Sequence, residues 1–505
     1  MRFWRGAASM REHRFAGLAP LWPFLAILVW TCAVRLPFYG NVNDDEFFFA
    51  VVAQRWLEGG FPYAASYDVK PPGLFAIYAA AQALFGESLA TIKGLEMLFT
   101  ALGGFGLYRL ALRHGTRTLA LWCGLLYPVY SLALSGVNAA NLILQLPFVI
   151  FAFLAGADFQ RRRAALLAGL MMGLAGMLRQ AVVFETLAVL GLLLWHSEGR
   201  RLRVTLSFVA GALLPLAGFA FYFLFEGHLR AAFDAVIVAA LVRSGGQLVA
   251  ADGPGAALQP GAWDVVAGIF AMAPPVLVLW GSSLLACVRW DRLKHSVPPD
   301  FLVMAAVWLA AACVDVMTAH TMFAYYLLLT VPPLLLLSGA LVGHGLEISG
   351  QRRTAWQAAL VLLAIFWPLA ADRIALFSTD MAGPDDRLAA ERAADRLQQL
   401  GFQPGDRLLV VNRGLLTYVA AKADPPTAYF HPTHLLCVFP TPEADPLGQA
   451  LNARPRFVVL GDPAIVRPCE QPARLRRVEA FLKAGYRQVG QVTGTWDRLF
   501  IYRLR

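Results

Sequence analysis

Apolar residues in this chain come in long blocks, and the blocks recur. Runs of about 15–25 residues lie near 18–38, 93–113, 118–135, 142–157, 164–178, 181–195, 204–225, 263–288, 301–319, 322–343 and 355–371, the length a helix needs to cross about 30 Å of hydrocarbon. The pattern predicts a polytopic α-helical membrane protein with about 11 transmembrane helices. After residue 371 the texture changes. RLAAERAADRLQQL keeps helical spacing, RLLVVN and RFVVLG read as short buried strands, EAFLKAGY as a helix and RLFIYRL as a closing strand. Residues 372–505 are long enough for a core of their own and are expected to form a small C-terminal α/β soluble domain beside a membrane domain, 1–371.

Composition sharpens this picture. The chain has 505 residues, 58% hydrophobic and only 15% charged, with a mean hydropathy of +0.56, which excludes an ordinary soluble protein. The formal charge of +10 reads as arginine at cytoplasmic helix ends, and a nucleic-acid partner is not expected. With the N-terminus inside, about eighteen Lys and Arg fall on the cytoplasmic side against about seven opposite. The cytoplasmic clusters are Arg2–Arg14, Arg109–Arg117, Arg161–Arg163, Arg200–Arg203, Arg289–Lys294 and Arg352–Arg353. This bias predicts a multi-pass protein of the bacterial cytoplasmic (inner) membrane, with the loop 40–92 and residues 372–505 extracytoplasmic, that is, periplasmic. The basic stretch MRFWRGAASMREHRF precedes an apolar run without a small-residue cleavage site, so that run is expected to be a retained first helix.

Cys32, Cys123, Cys287 and Cys313 lie in apolar runs and read as small core residues. Cys437 and Cys469 are the pair in the exported part, where a disulfide and two buried thiols both stay open. No CxxC or HExxH occurs, so spacing points to no metal and no cofactor.

The first outer loop, about 40–92, is far longer than an ordinary helix connection. Within it, EFFFAVVAQRWLEG and GLFAIYAAAQALFG read as two amphipathic helices lying in the membrane interface, apolar side down, the second entered through Pro71-Pro72. Three consecutive acids, Asp44, Asp45 and Glu46, then sit at headgroup depth, where a lipid-linked substrate carries its polar head. Full ionisation of all three side by side is unfavourable, so either one pKa is raised or a cation sits among them. A carboxylate there is suited to take a proton from an incoming hydroxyl, and equally suited to capping a helix. Lys70, stiffened by the two prolines that follow, is placed either to neutralise a departing phosphate or to snorkel beside headgroups. The other ionisable groups in or near apolar runs are Arg35, Lys93, Glu96, Arg179, Glu185, Asp315 and His320. All fall in the outer halves of their helices, which predicts one polar cavity opening outward. His320 with Asp315, and Arg179 with Glu185, are also readable as local structural pairs.

DEFFFAVVAQRWLEGGFPY, then YDVKPPG and a helix ending LFG, resembles the opening of the GT-C membrane glycosyltransferases of the protein-O-mannosyltransferase and lipid A aminoarabinose-transferase superfamily. GLMMGLAGMLRQ and FAYYLLLTVPPLLLLSGAL are similar to two later helices of that superfamily. The resemblance implies a reaction-centre acid at Asp45, a lysine on the donor phosphate at Lys70 and an assisting tyrosine at Tyr325 or Tyr326. Two positions depart from the pattern: Phe48 stands where the aminoarabinose-type enzymes carry a basic residue, and only Asn138 and Asn141 stand where many relatives have a Glu. The donor phosphate is therefore expected to lean on Lys70 with Arg179, Arg35 or His320, and any second carboxylate to be Asp68 or Glu46.

These readings lead to an inverting glycosyltransferase that moves a single sugar from a polyprenyl-phosphate-linked sugar donor to an extracytoplasmic acceptor, whether lipid A, another glycan, a lipid or a protein. Inversion and the lipid donor rest on the resemblance. The alternatives are a lipid or glycan transporter without covalent chemistry and a non-catalytic scaffold that binds envelope glycans.

Overall fold

The computed structural model describes residues 21–132, 136, 138–157, 162–197, 199–244, 274–294, 297–318, 324–348, 364, 384–437, 445–464, 470–494 and 498–505. Helices occupy the apolar runs wherever these are described. They are α1 Trp22–Arg35, α4 Leu89–His114, α5 Arg117–Tyr130, α6 Asn141–Gly156, α7 Arg162–Gly176, α8 Val183–Trp195 and α9 Arg201–Phe225, followed by Pro274–Val288, Pro299–Thr318 and Val331–Ile348. Four described stretches, Leu89–His114, Arg201–Phe225, Pro299–Thr318 and Tyr325–Gly343, are by themselves long and apolar enough to cross a membrane. The predicted run 355–371 lies outside the described residues apart from position 364, and the described helices do not reach the expected eleven crossings.

The tightest helix crossing is made by glycine. A Cβ on Gly169 or Gly173 of α7 would lie 2.0 Å from Phe208 O or 2.3 Å from Ala212 O of α9, and one on Gly211 would lie 2.1 Å from Leu166 O. Only bare backbones approach this closely, the small-residue route to helix association where burial in lipid offers no hydrophobic gain. This contact fixes the end of α7, just beyond which Arg179 and Gln180 follow.

The loop 40–92 holds α2 Asp44–Leu57 and α3 Pro72–Phe85. The expected one-sided interfacial helix is not what α2 is: every position from Glu46 to Ala53 is buried. The second cover comes from the C-terminal part of the chain, since Phe47, Phe48 and Phe49 share one apolar cluster with Ala389, Tyr418 and Phe430. Burial of each such side chain contributes about 1.5–3 kcal/mol, so the helix is a buried strut between two layers.

The C-terminal part forms a four-stranded sheet from β1 Leu408–Val411, β2 Phe457–Gly461, β3 Tyr486–Thr493 and β4 Arg498–Leu504, in the order β1-β2-β4-β3. β1 and β2 are parallel with Leu408 opposite Phe457, and the β2–β4 and β4–β3 pairs are antiparallel. Period-two alternation divides its residues between two cores. Leu408, Val410, Phe457 and Val459 face the cluster that holds α2, whereas Leu409, Val411, Val458 and Leu460 pack with Leu475, Val478 and Leu482 of the helix Pro472–Gly485. The amphipathic helix expected from RLAAERAADRLQQL is Pro384–Gln399. The strand β3 was not expected: its residues are half exposed and polar, so the apolar signal is absent there. Cys437 is disulfide-bonded; Cys469 lies outside the described residues.

Candidate active site

The three adjacent acids have three different partners. All lie in the first turn of α2, where the helix dipole favours negative charge. Glu46 closes a capping box: its Oε1 accepts from Asn43 N–H at 3.0 Å, while Asn43 Oδ1 accepts from Asp45 N–H at 2.8 Å. The Glu46 carboxylate is fully buried, lies 3.0 Å from Lys93 Nζ and accepts from Ala139 N–H at 3.1 Å. Lys93 is the cation expected among the acids. Asp44 Oδ1 accepts from Leu415 N–H at 3.2 Å, which ties α2 to the C-terminal part. Asp45 Oδ1 lies 3.1 Å from His431 Nε2, and the Asp45 side chain stays 40% exposed.

The Lys70 segment is held from several sides. Asp68 accepts from Val69 N–H at 2.7 Å through Oδ1 and from Lys70 Nζ at 3.3 Å through Oδ2. Lys70 Nζ also sits 4.8 Å from the centre of the Phe49 ring, a cation–π contact made on the same helix as the acids. Tyr63, in the left-handed region at φ 71°, donates its hydroxyl to Lys70 O at 2.8 Å. That backbone conformation costs a bulky residue about 1–3 kcal/mol and persists only where the surroundings enforce it. Burial beside Asp68 pushes the Tyr63 hydroxyl well above its usual pKa, and burial takes Tyr67 up to about 12, so both stay protonated donors. Glu87, in the turn between α3 and α4, is pushed up to about 7 by burial and by Glu58, with Lys422 opposing.

Two motifs separate in sequence meet here. Gln180 Nε2 donates to Val69 O at 2.8 Å and to Val236 O at 3.0 Å, and Leu74 N–H donates to Met177 O at 3.2 Å. Gly73 is required for that approach, because a Cβ there would lie 2.7 Å from Met177 O. KPPG therefore packs directly on the end of GLAGMLRQ.

Arg179 does not pair with Glu185. Its guanidinium makes a bidentate bridge to Asp315 at 2.5 and 2.7 Å and lies 5.2 Å from the centre of the Tyr326 ring. The fork geometry of the guanidinium matches a carboxylate two oxygens wide, and two of its five N–H donors are used there. Asp315 is thus taken by Arg179; His320, the partner expected for it, lies outside the described residues. Arg35 is likewise engaged, by Glu96, by Gly136 O at 2.6 Å and by Ser131. The Tyr325 and Tyr326 rings lie 4.5 Å apart, tilted by 41°, and Tyr325 lies within electrostatic reach of Asp45, linking the late helices to the acids. Among the described residues no three His, Cys, Asp or Glu side chains converge as a metal ion would require.

Sequence reasoning missed His431 and Gln180. His431 lies nearly four hundred residues from Asp45 in a segment without repeat or motif (|i−j| = 386); Gln180 was visible only as the last letter of a helix. His431 anchors the helix Pro432–Leu436 as its N-cap, packs edge-on to Phe48 at 4.8 Å and lies 5.3 Å from the His434 ring. Tyr67 N–H donates to Ala428 O at 2.9 Å, and Arg55 bridges to Asp424 at 3.2 Å. The C-terminal part is therefore fastened to the loop from Asp44 to Tyr67.

Residues 69–223 match the family described as dolichyl-phosphate-mannose-protein mannosyltransferase. A Pseudomonas aeruginosa protein named undecaprenyl phosphate-alpha-4-amino-4-deoxy-L-arabinose arabinosyl transferase is 33% identical over 198 residues. That match spans 36% of this chain and 36% of the relative, so the chain matches about a third of the curated relative's length. The crystal structure of ArnT from Cupriavidus metallidurans bound to undecaprenyl phosphate superposes with a TM-score of 0.63 at 13% identity, over 96% of this chain and 98% of that one. The apo oligosaccharyltransferase of Archaeoglobus fulgidus gives 0.54 at 15% identity, over 89% and 70%. The chain is thus similar in fold to these membrane transferases, and the family match runs across its KPPG and GLAGMLRQ segments.

Proposed function

We propose that this chain is an inverting glycosyltransferase that moves a single sugar from a polyprenyl phosphate to an acceptor hydroxyl on the extracytoplasmic face of the bacterial inner membrane. In this reading the N-terminus is cytoplasmic, and the sheet-containing part belongs to an extracytoplasmic domain, 372–505, that covers the loop 40–92. The names of the Pseudomonas relatives and the undecaprenyl phosphate bound to the Cupriavidus structure support a polyprenyl phosphate as the leaving group. The acceptor is lipid A, another glycan, a lipid or a protein.

The observation that carries the proposal is the division of labour among the acids. Glu46 is committed to Lys93 and two backbone amides, and Asp44 holds the backbone at Leu415. Asp45 instead meets an imidazole and keeps an accessible carboxylate. The acceptor oxygen attacks the anomeric carbon while Asp45 takes its proton. The bond from that carbon to the phosphate oxygen breaks, and its electron pair leaves on the phosphate. Lys70 offsets the charge of the departing polyprenyl phosphate, with Asp68 orienting its ammonium. Tyr325 and Tyr326 donate hydroxyl hydrogens to the phosphate from the opposite wall. Arg179, bound to Asp315, acts by holding Tyr326, and Glu46 acts by fixing the first turn of α2.

The test uses purified protein in nanodiscs with a panel of undecaprenyl-phosphate sugars and an envelope lipid extract. Release of undecaprenyl phosphate with sugar on a new acceptor supports the proposal; movement of the intact lipid-linked sugar across the bilayer without cleavage refutes it.

A further inference from the structure

We propose that His431 is a positioning residue of the reaction centre: its Nε2–H holds one oxygen of Asp45 so that the other faces the acceptor hydroxyl. This rests on Asp45 being the proton acceptor.

The tautomer follows from geometry. Thr433 N–H points at His431 Nδ1 at 3.2 Å, and the Thr433 hydroxyl lies 2.6 Å from the same nitrogen. A backbone N–H can only donate, so Nδ1 is an acceptor and the ring hydrogen of the neutral imidazole sits on Nε2. That hydrogen points at Asp45 Oδ1, 3.1 Å away. The ring has little freedom to turn, being 8% exposed, capped below by the Thr433 backbone and packed edge-on to Phe48. A donor fixed by a helix N-cap therefore sets the carboxylate rotamer, the role that an orienting hydrogen bond plays in acid–base pairs generally. Donation to the anion also favours the ionised, proton-accepting form of Asp45. Among the described residues, the titratable groups around Asp45 include Asp44 and Glu46 on its own helix, Lys93 bound to Glu46, His434 beside His431, Tyr78 on α3 and Tyr325 on the facing late segment.

The Phe48 ring, on the same helix as Asp45, is the surface against which His431 stands. The nitrogen donor at this point comes from the C-terminal part of the chain, so the reaction centre is incomplete until that part is docked.

Two substitutions separate this role from a merely structural one. Asparagine places its amide oxygen where Nδ1 accepts and keeps the cap, but is too short to reach Asp45. Glutamine places its amide nitrogen where Nε2 donates. His431→Asn is expected to lower kcat about tenfold or more with little change in donor KM, and to move the acidic limb of kcat/KM upward by about one pH unit. His431→Gln is expected to recover most of both. The assay is release of undecaprenyl phosphate from the panel member that turns over fastest, with thermal unfolding recorded on the same samples. Full activity in His431→Asn, or equal loss in both variants with the acidic limb unmoved, overturns the inference. Activity retained by Asp45→Asn overturns instead the assignment of Asp45 on which it rests.

Discussion

Gln180 Nε2 donates to the carbonyl oxygen of Val69 at 2.8 Å, joining the residue before Lys70 to the residue after Arg179. The same amide nitrogen reaches Val236 O at 3.0 Å, so one side chain ties three segments that carry or border the proposed donor site. Gln180→Ala is expected to lower kcat/KM for the lipid donor about tenfold, because a small displacement of a charged group erodes its effect steeply. The thermal unfolding midpoint should barely move, since the side chain is largely outside the core. An unchanged kcat/KM would show that Lys70 needs no such tether.

Gly73 meets Met177 with no room for a methyl group, its hypothetical Cβ lying 2.6 Å from Met177 Cβ. Gly73→Ala is expected to destabilise the protein by roughly 1–3 kcal/mol through overpacking and to depress donor turnover further by shifting Lys70. Thermal unfolding in detergent, paired with the release assay, measures both effects.

Glu46 and Lys93 form an ion pair with both side chains essentially inaccessible, at 0% and 2% exposure. Removing one member strands the other, which typically costs about 3–5 kcal/mol. Glu46→Gln and Lys93→Met are each expected to lower stability and folded yield strongly, whereas the double substitution should lose less than the sum of the two. Additive losses in a double-mutant cycle would contradict a direct pair.

Glu87 gives a pH dependence with a defined sign. Its folded pKa of about 7 stands above the ordinary 4.5, so the folded chain binds the extra proton between those values. Stability from this group is therefore greatest below 4.5 and is lost as pH rises towards about 7. Glu87→Gln should flatten that part of the stability–pH curve. A slope unchanged by the substitution would assign it to another group.

The membrane helices were legible because lipid demands long apolar runs, and β1, β2 and β4 because Leu, Val and Phe fill both faces of their sheet. Asp45 and Lys70 stood out because charge next to apolar aromatic sequence is rare enough to notice. What stayed hidden was pairing across distance. Arg179 lies six residues from Glu185 in sequence yet binds Asp315 (|i−j| = 136), since a bidentate fork prefers the carboxylate that faces it over the one that is near in sequence. Burial of α2 on every side was also out of reach, because its cover is supplied by Tyr418 and Phe430, hundreds of residues later. The spacing of Thr433 two residues after His431 was the one local hint that a histidine side chain caps a helix there.

The most direct test of the account is single-turnover transfer from an undecaprenyl-phosphate sugar by Asp45→Asn, Asp44→Asn and Lys70→Met, with donor binding measured separately on each protein. The account predicts that Asp45→Asn binds donor as the unaltered chain does yet transfers at least about a thousandfold more slowly, that Asp44→Asn keeps substantial transfer, and that Lys70→Met loses donor affinity and rate together. Transfer by Asp45→Asn at the rate of the unaltered chain would contradict it.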